Sequence, residues 1–424
     1  MKRLIKNQKS RIKNLFAIVL FAPVLGFSQE IESDVLTIEQ AIEIALENNF
    51  SIQIARNISD QVNATWGSAG MLPTLGVGGN YSISEAPGDA QAIARARATV
   101  ELNWTIFDGF RMFATHNRLR SMDEISSVNF RVAVENTIRE VINQYYLIVS
   151  AEQQLRSIRQ SLMVSQTRFD FVQARHEVGS ASRLDVLNAR VDFNTDSSAY
   201  RRSLEQMLSA KTNLNQLLAR PVDIQFQVAD YIPRSSDLDF AEIHARALEQ
   251  NAELNISRLQ TVISEASRRE ITALHMPVIS LNSGYDFFNY NLIGRGVFYG
   301  ATVRMNLFNG LETQRRQRNA RLAVENAHIA EQATLLNLKT QLRLHFINYE
   351  TNRDLVNLEA ENIEIAQQNM EISLERYQLG NLTALELREA QRNYLNAINR
   401  YINSLFLTRV SETILLQLAG MLTQ

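Results

Sequence analysis

The sequence predicts a mainly α protein with a small β part, built as two tandem repeats that each combine long coiled-coil helices with two strands. Three observations carry this: the chain matches itself in order at an offset of about 200 residues, helix breakers are scarce, and four short stretches alternate between apolar and polar residues.

The repeat is read directly. LTIEQAIEIALEN (36–48) recurs as LDFAEIHARALEQ (238–250), and MLPTLGVGGNY (71–81) as MPVISLNSGY (276–285). WTIFDG (104–109) recurs as MNLFNG (305–310), and RHEVGSASRLDVLNAR (175–190) as RYQLGNLTALELREAQ (376–391). NQLLARP (215–221) pairs with LQLAG (416–420). The order is kept and the unit is far longer than a solenoid repeat. The organisation expected is a leader over 1–28, a first repeat over 29–221, a linker over 222–237 and a second repeat over 238–424.

The leader rests on six basic residues (Lys2, Arg3, Lys6, Lys9, Arg11, Lys13) with no acid before Glu30, then an apolar run from Leu15 to Phe27. This is the pattern of a signal peptide cleaved after Ser28, and the run is short of the ~20 residues of a spanning helix. Removing 1–28 takes away six basic and no acidic residues, moving the formal charge from −2 to −8, so a nucleic-acid partner is not expected. No Cys occurs, which excludes disulfides, thiolate metal sites and a lipidated N-terminal Cys.

Each half then reads alike. A first helix (about 37–70 and 239–274) is stopped by Pro73 or Pro277, because Pro cannot sit in a helix interior. Strands are expected at 74–84, 98–107, 278–288 and 297–308. In the first, Leu75, Val77, Tyr81 and Ile83 share one face; in the second, Val100, Leu102, Trp104 and Ile106 oppose Thr99, Glu101, Asn103 and Thr105. Ile279, Leu281, Tyr285 and Phe287 oppose Ser280, Asn282 and Asp286, and Val297, Tyr299, Val303 and Leu307 oppose Thr302, Arg304 and Asn306. Period two gives each strand one apolar and one polar face, and the lengths suit tilted membrane-spanning strands as well as a half-buried soluble sheet. Four strands cannot close a barrel in lipid, so spanning requires an oligomer: two chains supply eight strands, three supply twelve.

Long helices follow at 110–178 and 311–378, with returning helices at 183–219 and 384–419. Ala151, Leu155, Ile158, Leu162, Ser165, Phe169 and Val172 form a seam spaced 4 and 3. Val356, Ile363, Ala366, Met370, Ser373 and Tyr377 repeat it. Gly179 and Gly380 suit a left-handed C′ position, Ser182 and Thr383 suit N-caps, and Asp185 and Glu386 lie three residues on, as in a capping box. Asp108 and Asn309 are the expected caps after the strands. The six histidines are scattered, and no P-loop, nucleophile elbow, dinucleotide fingerprint or HExxH pair occurs, so no enzyme, cofactor or metal site is expected.

Taken in order and twice over, these motifs resemble the TolC / outer membrane efflux protein family. The carriers are Ala45-Leu46-Glu47-Asn48-Asn49, Leu72-Pro73 and Met276-Pro277, Phe107-Asp108-Gly109 and Phe308-Asn309-Gly310, and the tips around Gly179 and Gly380. Where the family commonly has Pro after the Asn, this chain has Phe50 and Ala252. The resemblance implies a homotrimer in outer-membrane lipid, its 12-stranded β-barrel continuing into an α-helical barrel through the periplasm of a Gram-negative bacterium. It implies a passive exit duct of a tripartite efflux or type I secretion system. The partners would be a periplasmic adaptor and an inner-membrane pump of RND, ABC or similar type. It places a periplasmic pore constriction at Glu386 and Glu389. Adaptor docking and tip contacts fall on Val178, Gly179, Ser180, Ser182, Asp185, Tyr377, Leu379, Gly380, Asn381 and Thr383. A periplasmic coiled-coil adaptor or scaffold is the alternative.

Overall fold

The computed structural model describes residues 35–66, 71–84, 93–235, 237–290 and 292–423; the expected leader lies outside them. The first half runs β1 (Val35–Leu36), α1 (Ile38–Asn48), α2 (Phe50–Trp66), β2 (Thr74–Ser84), β3 (Ile93–Phe107), α3 (Arg111–Glu177) and α4 (Arg183–Leu217). The second runs β4 (Gln227–Val228), α5 (Phe240–Gln250), α6 (Ala252–Thr272), a 3₁₀ turn at Ala273–His275, β5 (Val278–Tyr290), β6 (Leu292–Arg304), α7 (Glu312–Gln378) and α8 (Ala384–Leu418). The long helices match in length, 67 residues each for α3 and α7 and 35 each for α4 and α8. At 1.5 Å per residue the longer pair extend about 100 Å. Among the described residues no helix is long and apolar enough to cross a membrane.

The single first helix expected in each half is two helices, broken at Asn49 and Asn251, whose extended backbone (ψ 127° in both) interrupts the ladder. The break is built from asparagine chemistry. Asn49 Oδ1 accepts from the backbone N–H of Ser51 (2.9 Å), capping α2, while its Nδ2 donates to the Leu217 carbonyl (2.8 Å). Asn251 Nδ2 likewise donates to the Leu418 carbonyl (3.1 Å). Phe50 and Ala252 are then the first residues of their helices, the one position where Pro would also be tolerated.

Two compact units emerge. The first comprises the described residues up to Ile54, Arg131–Asn251 and the described residues from Leu338. Its core gathers Ala41 and Ala45 of α1, Val141, Tyr145, Ile148 and Val149 of α3, Leu214 and Leu218 at the end of α4, and Val356 and Leu405 from α7 and α8. From 222–237, expected as a linker, three apolar residues join this core. Phe226, Val228 and Ile232 are buried, and β4 pairs in parallel with β1. The reason is the period-two spacing of these apolar residues, which buries one side of an extended chain. Tyr145 ties the layer together, donating to the Leu36 carbonyl (3.0 Å) and accepting from the Ala229 N–H (3.1 Å).

The second unit comprises Ala55–Phe130 and Ala252–Asn337. It holds the four-stranded sheet, ordered β2-β3-β5-β6 and antiparallel throughout. β2 has the expected bounds, β3 begins five residues earlier than 98 and β5 runs to 290. β6 occupies 292–304, not 297–308, because its partner starts at Val278, opposite Arg304, leaving Met305–Phe308 without a ladder. The register puts Leu75, Leu102, Ser283 and Tyr299 in one row and Val77, Val100, Tyr285 and Val297 in the next, so one face of the sheet is apolar and exposed. On the other face Arg97 donates to both oxygens of Asp286 (3.1 and 2.5 Å), and Thr99 donates to the same carboxylate (2.6 Å). Phe298 covers Gly284 and Phe288 covers Gly294, each directly across the ladder, where any Cβ on the glycine would collide with the ring.

Strand-to-helix turns follow at Asp108-Gly109-Phe110 and Asn309-Gly310-Leu311, with two successive left-handed residues each (φ 71° and 66°; 65° and 63°). Asp108 Oδ1 accepts from the Met112 N–H (3.0 Å) and Asn309 Oδ1 from the Thr313 N–H (3.4 Å), so both act as caps. Gly109 is required twice over: its φ is positive, and a Cβ would lie 2.5 Å from that of Met276.

Candidate functional site: the two hairpin tips

Both tips lie in the first unit and share one construction. α3 ends in a Schellman turn: Gly179 (φ 77°) donates to the His176 carbonyl (2.9 Å) and Ser180 to that of Arg175 (2.7 Å). α7 ends identically, with Gly380 (φ 78°) bonded to Tyr377 (3.0 Å) and Asn381 to Arg376 (2.9 Å). Val178 and Leu379, just before each glycine, are exposed, as an unpartnered contact point requires.

Each returning helix opens with a complete capping box. Asp185 N–H donates to Ser182 Oγ (3.1 Å) while Asp185 Oδ2 accepts from the Ser182 N–H (3.0 Å). Glu386 N–H donates to Thr383 Oγ1 (3.3 Å) while Glu386 Oε2 accepts from the Thr383 N–H (2.9 Å). These bonds stabilise the ionised form. The Thr383 N–H, then its hydroxyl, holds the Glu386 carboxyl below its ordinary value. The Ser182 hydroxyl, then its N–H, does so for Asp185. Glu389, one turn further, pairs with Arg392 (2.5 Å).

Tyr377 sits among tip-one residues. Its ring meets Phe171 edge-on (centroids 6.2 Å apart), and burial pushes its phenol above the ordinary value against the pull of Arg168 and Arg175. Tyr377 and Asp185 are near enough to interact electrostatically, share no hydrogen bond among the described residues, and Asp185 Oδ2 accepts from the N–H and hydroxyl of Ser182.

One cluster was not anticipated. Asp196 of α4, 8% exposed, accepts from Arg388 of α8 (2.8 and 3.1 Å) and from Ser165 of α3. Arg168 of α3 pairs with Asp192, which also lies 3.8 Å from Arg388. Gln391 donates to the carbonyl (3.1 Å) and hydroxyl (2.5 Å) of Ser161. The first hairpin is thereby joined to the returning helix of the second by charge-assisted hydrogen bonds. The signal was present: Ala189, Asp196, Ser203 and Ala210, all buried, are spaced by seven along α4, with an acid at an interior position. The α3 seam is correspondingly more polar than expected, with Ser161, Ser165, Arg168 and Val172 its most buried members near the tip. On α7 the expected seam holds, and the buried Glu359, bonded to Arg400 (2.8 Å), fills the gap after Val356.

Residues 41–220 match the family described as Outer membrane efflux protein. Over these residues the chain is similar to that family. Among sequence relatives, the outer membrane protein TolC of Salmonella enteritidis is 23% identical over 224 residues, covering 50% of this chain and 43% of TolC. The match thus spans less than half of that relative's length. Among solved structures, the Campylobacter jejuni CmeC outer membrane channel superposes with a TM-score of 0.83 at 16% identity over 95% of this chain and 94% of CmeC. VceC of Vibrio cholerae gives 0.78 at 15% identity over 90% and 96%. The open-state MtrE channel of Neisseria gonorrhoeae gives 0.77 at 15% over 90% and 88%. The TolC-like channel fold therefore extends through both halves, well beyond the matched segment. The relatives are outer-membrane channels, not enzymes.

Proposed function

We propose that the chain is one protomer of a trimeric outer-membrane exit duct, through which an inner-membrane pump and a periplasmic adaptor export their cargo passively. The observation that carries this reading is the sheet of the second unit. Four strands leave β2 and β6 with unpaired edges, and one face is exposed and apolar. An open edge is not tolerated in hydrocarbon, so β6 of one protomer must pair with β2 of the next. Three protomers give the 12 strands of the family's barrel. The polar face, with Arg97, Thr99 and Asp286, then lines the lumen, and lipid meets Leu75, Val77, Val100, Leu102, Tyr285 and Val297.

In this assembly the tips form the periplasmic end. Val178–Ser180, Ser182, Asp185, Tyr377, Leu379–Asn381 and Thr383 present the adaptor-docking surface, since exposed Val178 and Leu379 project beside rigid left-handed turns. Glu386 and Glu389 form the candidate constriction, with Glu386 anchored by its own helix cap. The deciding measurement is the mass of the mature protein extracted in detergent, by light scattering. Three chains per particle is the expected result. A detergent-independent soluble monomer would refute the duct and favour a periplasmic coiled-coil scaffold.

A further inference from the structure

Charge is distributed unequally over the two faces of the four-stranded sheet. The face with Arg97 and Asp286 also carries Arg95, Glu101 and Arg304. On the opposite, apolar face the one charged residue among those described is Arg295 of β6. It sits directly across the ladder from Phe287, which in turn faces Ala98. Arg295 is exposed and makes no hydrogen bond or ion pair among the described residues, whereas Arg97 is held by Asp286.

The surface beside Arg295 is shaped. On the apolar face β3 changes from Leu102 and Val100 to Ala98, Ala96 and Ala94 toward its start. These alanines form a floor between Tyr81 and Ile83 of β2 and Phe287 and Asn289 of β5, walls roughly 10 Å apart at the usual strand spacing. A groove of about 640 Å³ lies over this corner, and the residues of the apolar face that line it are Ala96, Ala98, Phe287, Asn289 and Arg295. Phe287 packs on Tyr285 (centroids 4.7 Å apart), which steadies that wall. The long helices leave the sheet at its other end, past Val303. From Val303 to Arg295 a strand tilted by about 40° climbs about 20 Å along the barrel axis. The apolar band of an outer-membrane barrel is about 25 Å tall, so Arg295 reaches its outer boundary, where lipid phosphate replaces hydrocarbon.

We infer that Arg295 and this groove bind a phosphorylated glycolipid of the outer leaflet. The guanidinium and the Asn289 amide take its phosphate, and the alanine floor takes an acyl chain against Phe287. A guanidinium matches a phosphate with two parallel hydrogen bonds, and an arginine on the lipid face is tolerated at the boundary, where an anion can meet it. A free phosphate would satisfy the charge but leave the apolar groove empty, so the occupant is the lipid-borne one.

This inference rests on the membrane-spanning barrel proposed above, and the test separates the two. Native mass spectrometry of the detergent-extracted trimer, titrated with bisphosphoryl lipid A, should show one lipid bound per protomer. Arg295→Gln should weaken binding about tenfold, the loss expected for a charge-assisted hydrogen bond. Arg295→Lys should recover part of it, and Ala98→Trp should block the groove with the charge intact. Arg95→Gln, on the other face, should bind as the parent does. Inorganic phosphate alone should not compete. With trimers intact by light scattering, parent-like affinity in both Arg295→Gln and Ala98→Trp would overturn the site. So would equal affinity for the dephosphorylated lipid, or displacement by inorganic phosphate. A parent protein that is monomeric in detergent would overturn the barrel itself, and the lipid-facing place of Arg295 with it.

Discussion

Asp196 offers the sharpest quantitative test of how the two hairpins are joined. Its carboxylate takes two bonds from Arg388 and one from Ser165, with its side chain 12% exposed against 28% for Arg388. Breaking a buried ion pair by removing one partner costs about 3–5 kcal/mol, since it strands the other charge. Here Arg388 is partly solvated and keeps Asp192 at 3.8 Å, so Asp196→Ala should cost less, about 2–3 kcal/mol. Arg388→Met keeps the aliphatic packing but strands Asp196, and should cost a similar amount. The double variant removes both charges together and should cost about as much as either single change, giving a coupling energy of about 2 kcal/mol. The measurement is the urea midpoint of the far-UV helical signal in detergent for all four proteins, converted through the common slope. Additivity within about 0.5 kcal/mol would refute the idea that these residues act as one unit.

Three further outcomes are expected. Glu386→Ala with Glu389→Ala should lower cation preference in planar-bilayer recordings, Glu386 contributing more because Arg392 offsets Glu389; unchanged selectivity would remove both from the constriction. Glu135, 3% exposed, has one carboxylate oxygen with no hydrogen bond, and burial raises its pKa although Arg131 lowers it. A raised acid loses stability as pH climbs from its unfolded value through its folded one. Glu135→Gln should therefore stabilise the protein by roughly 1 kcal/mol at pH 7, with the advantage vanishing below pH 4, as read from melting temperatures across pH. Ala219 holds φ 51° at a turn where the second half uses Gly420 (φ 68°), so Ala219→Gly should raise stability by about 0.5–1 kcal/mol, and a lower urea midpoint would show that its methyl packs usefully.

Most of the tip chemistry could be read from the sequence because it is local. Gly179, Ser182 and Asp185, or Gly380, Thr383 and Glu386, lie within seven residues of one another, and the turn and cap need no distant partner. The strands were legible for the same reason, through period-two alternation, although their ends moved: 93 instead of 98 and 304 instead of 308. Strand ends depend on where the partner begins, which is a pairing property. The breaks at Asn49 and Asn251 were missed because each asparagine is fixed by a carbonyl more than 160 residues away.

Residue order alone is enough to specify a doubled chain of long helices with four amphipathic strands and glycine-centred tips. Periodicity and capping are properties of neighbouring residues, and they survive without knowing the fold. Packing between distant segments is what buries Phe226, Val228 and Ile232 in a core, brings Asp196 to Arg388 across 192 residues, and sets which helix faces remain uncovered. Those outcomes depend on which surfaces desolvate one another, and desolvation is set by packing between segments that the sequence does not place side by side.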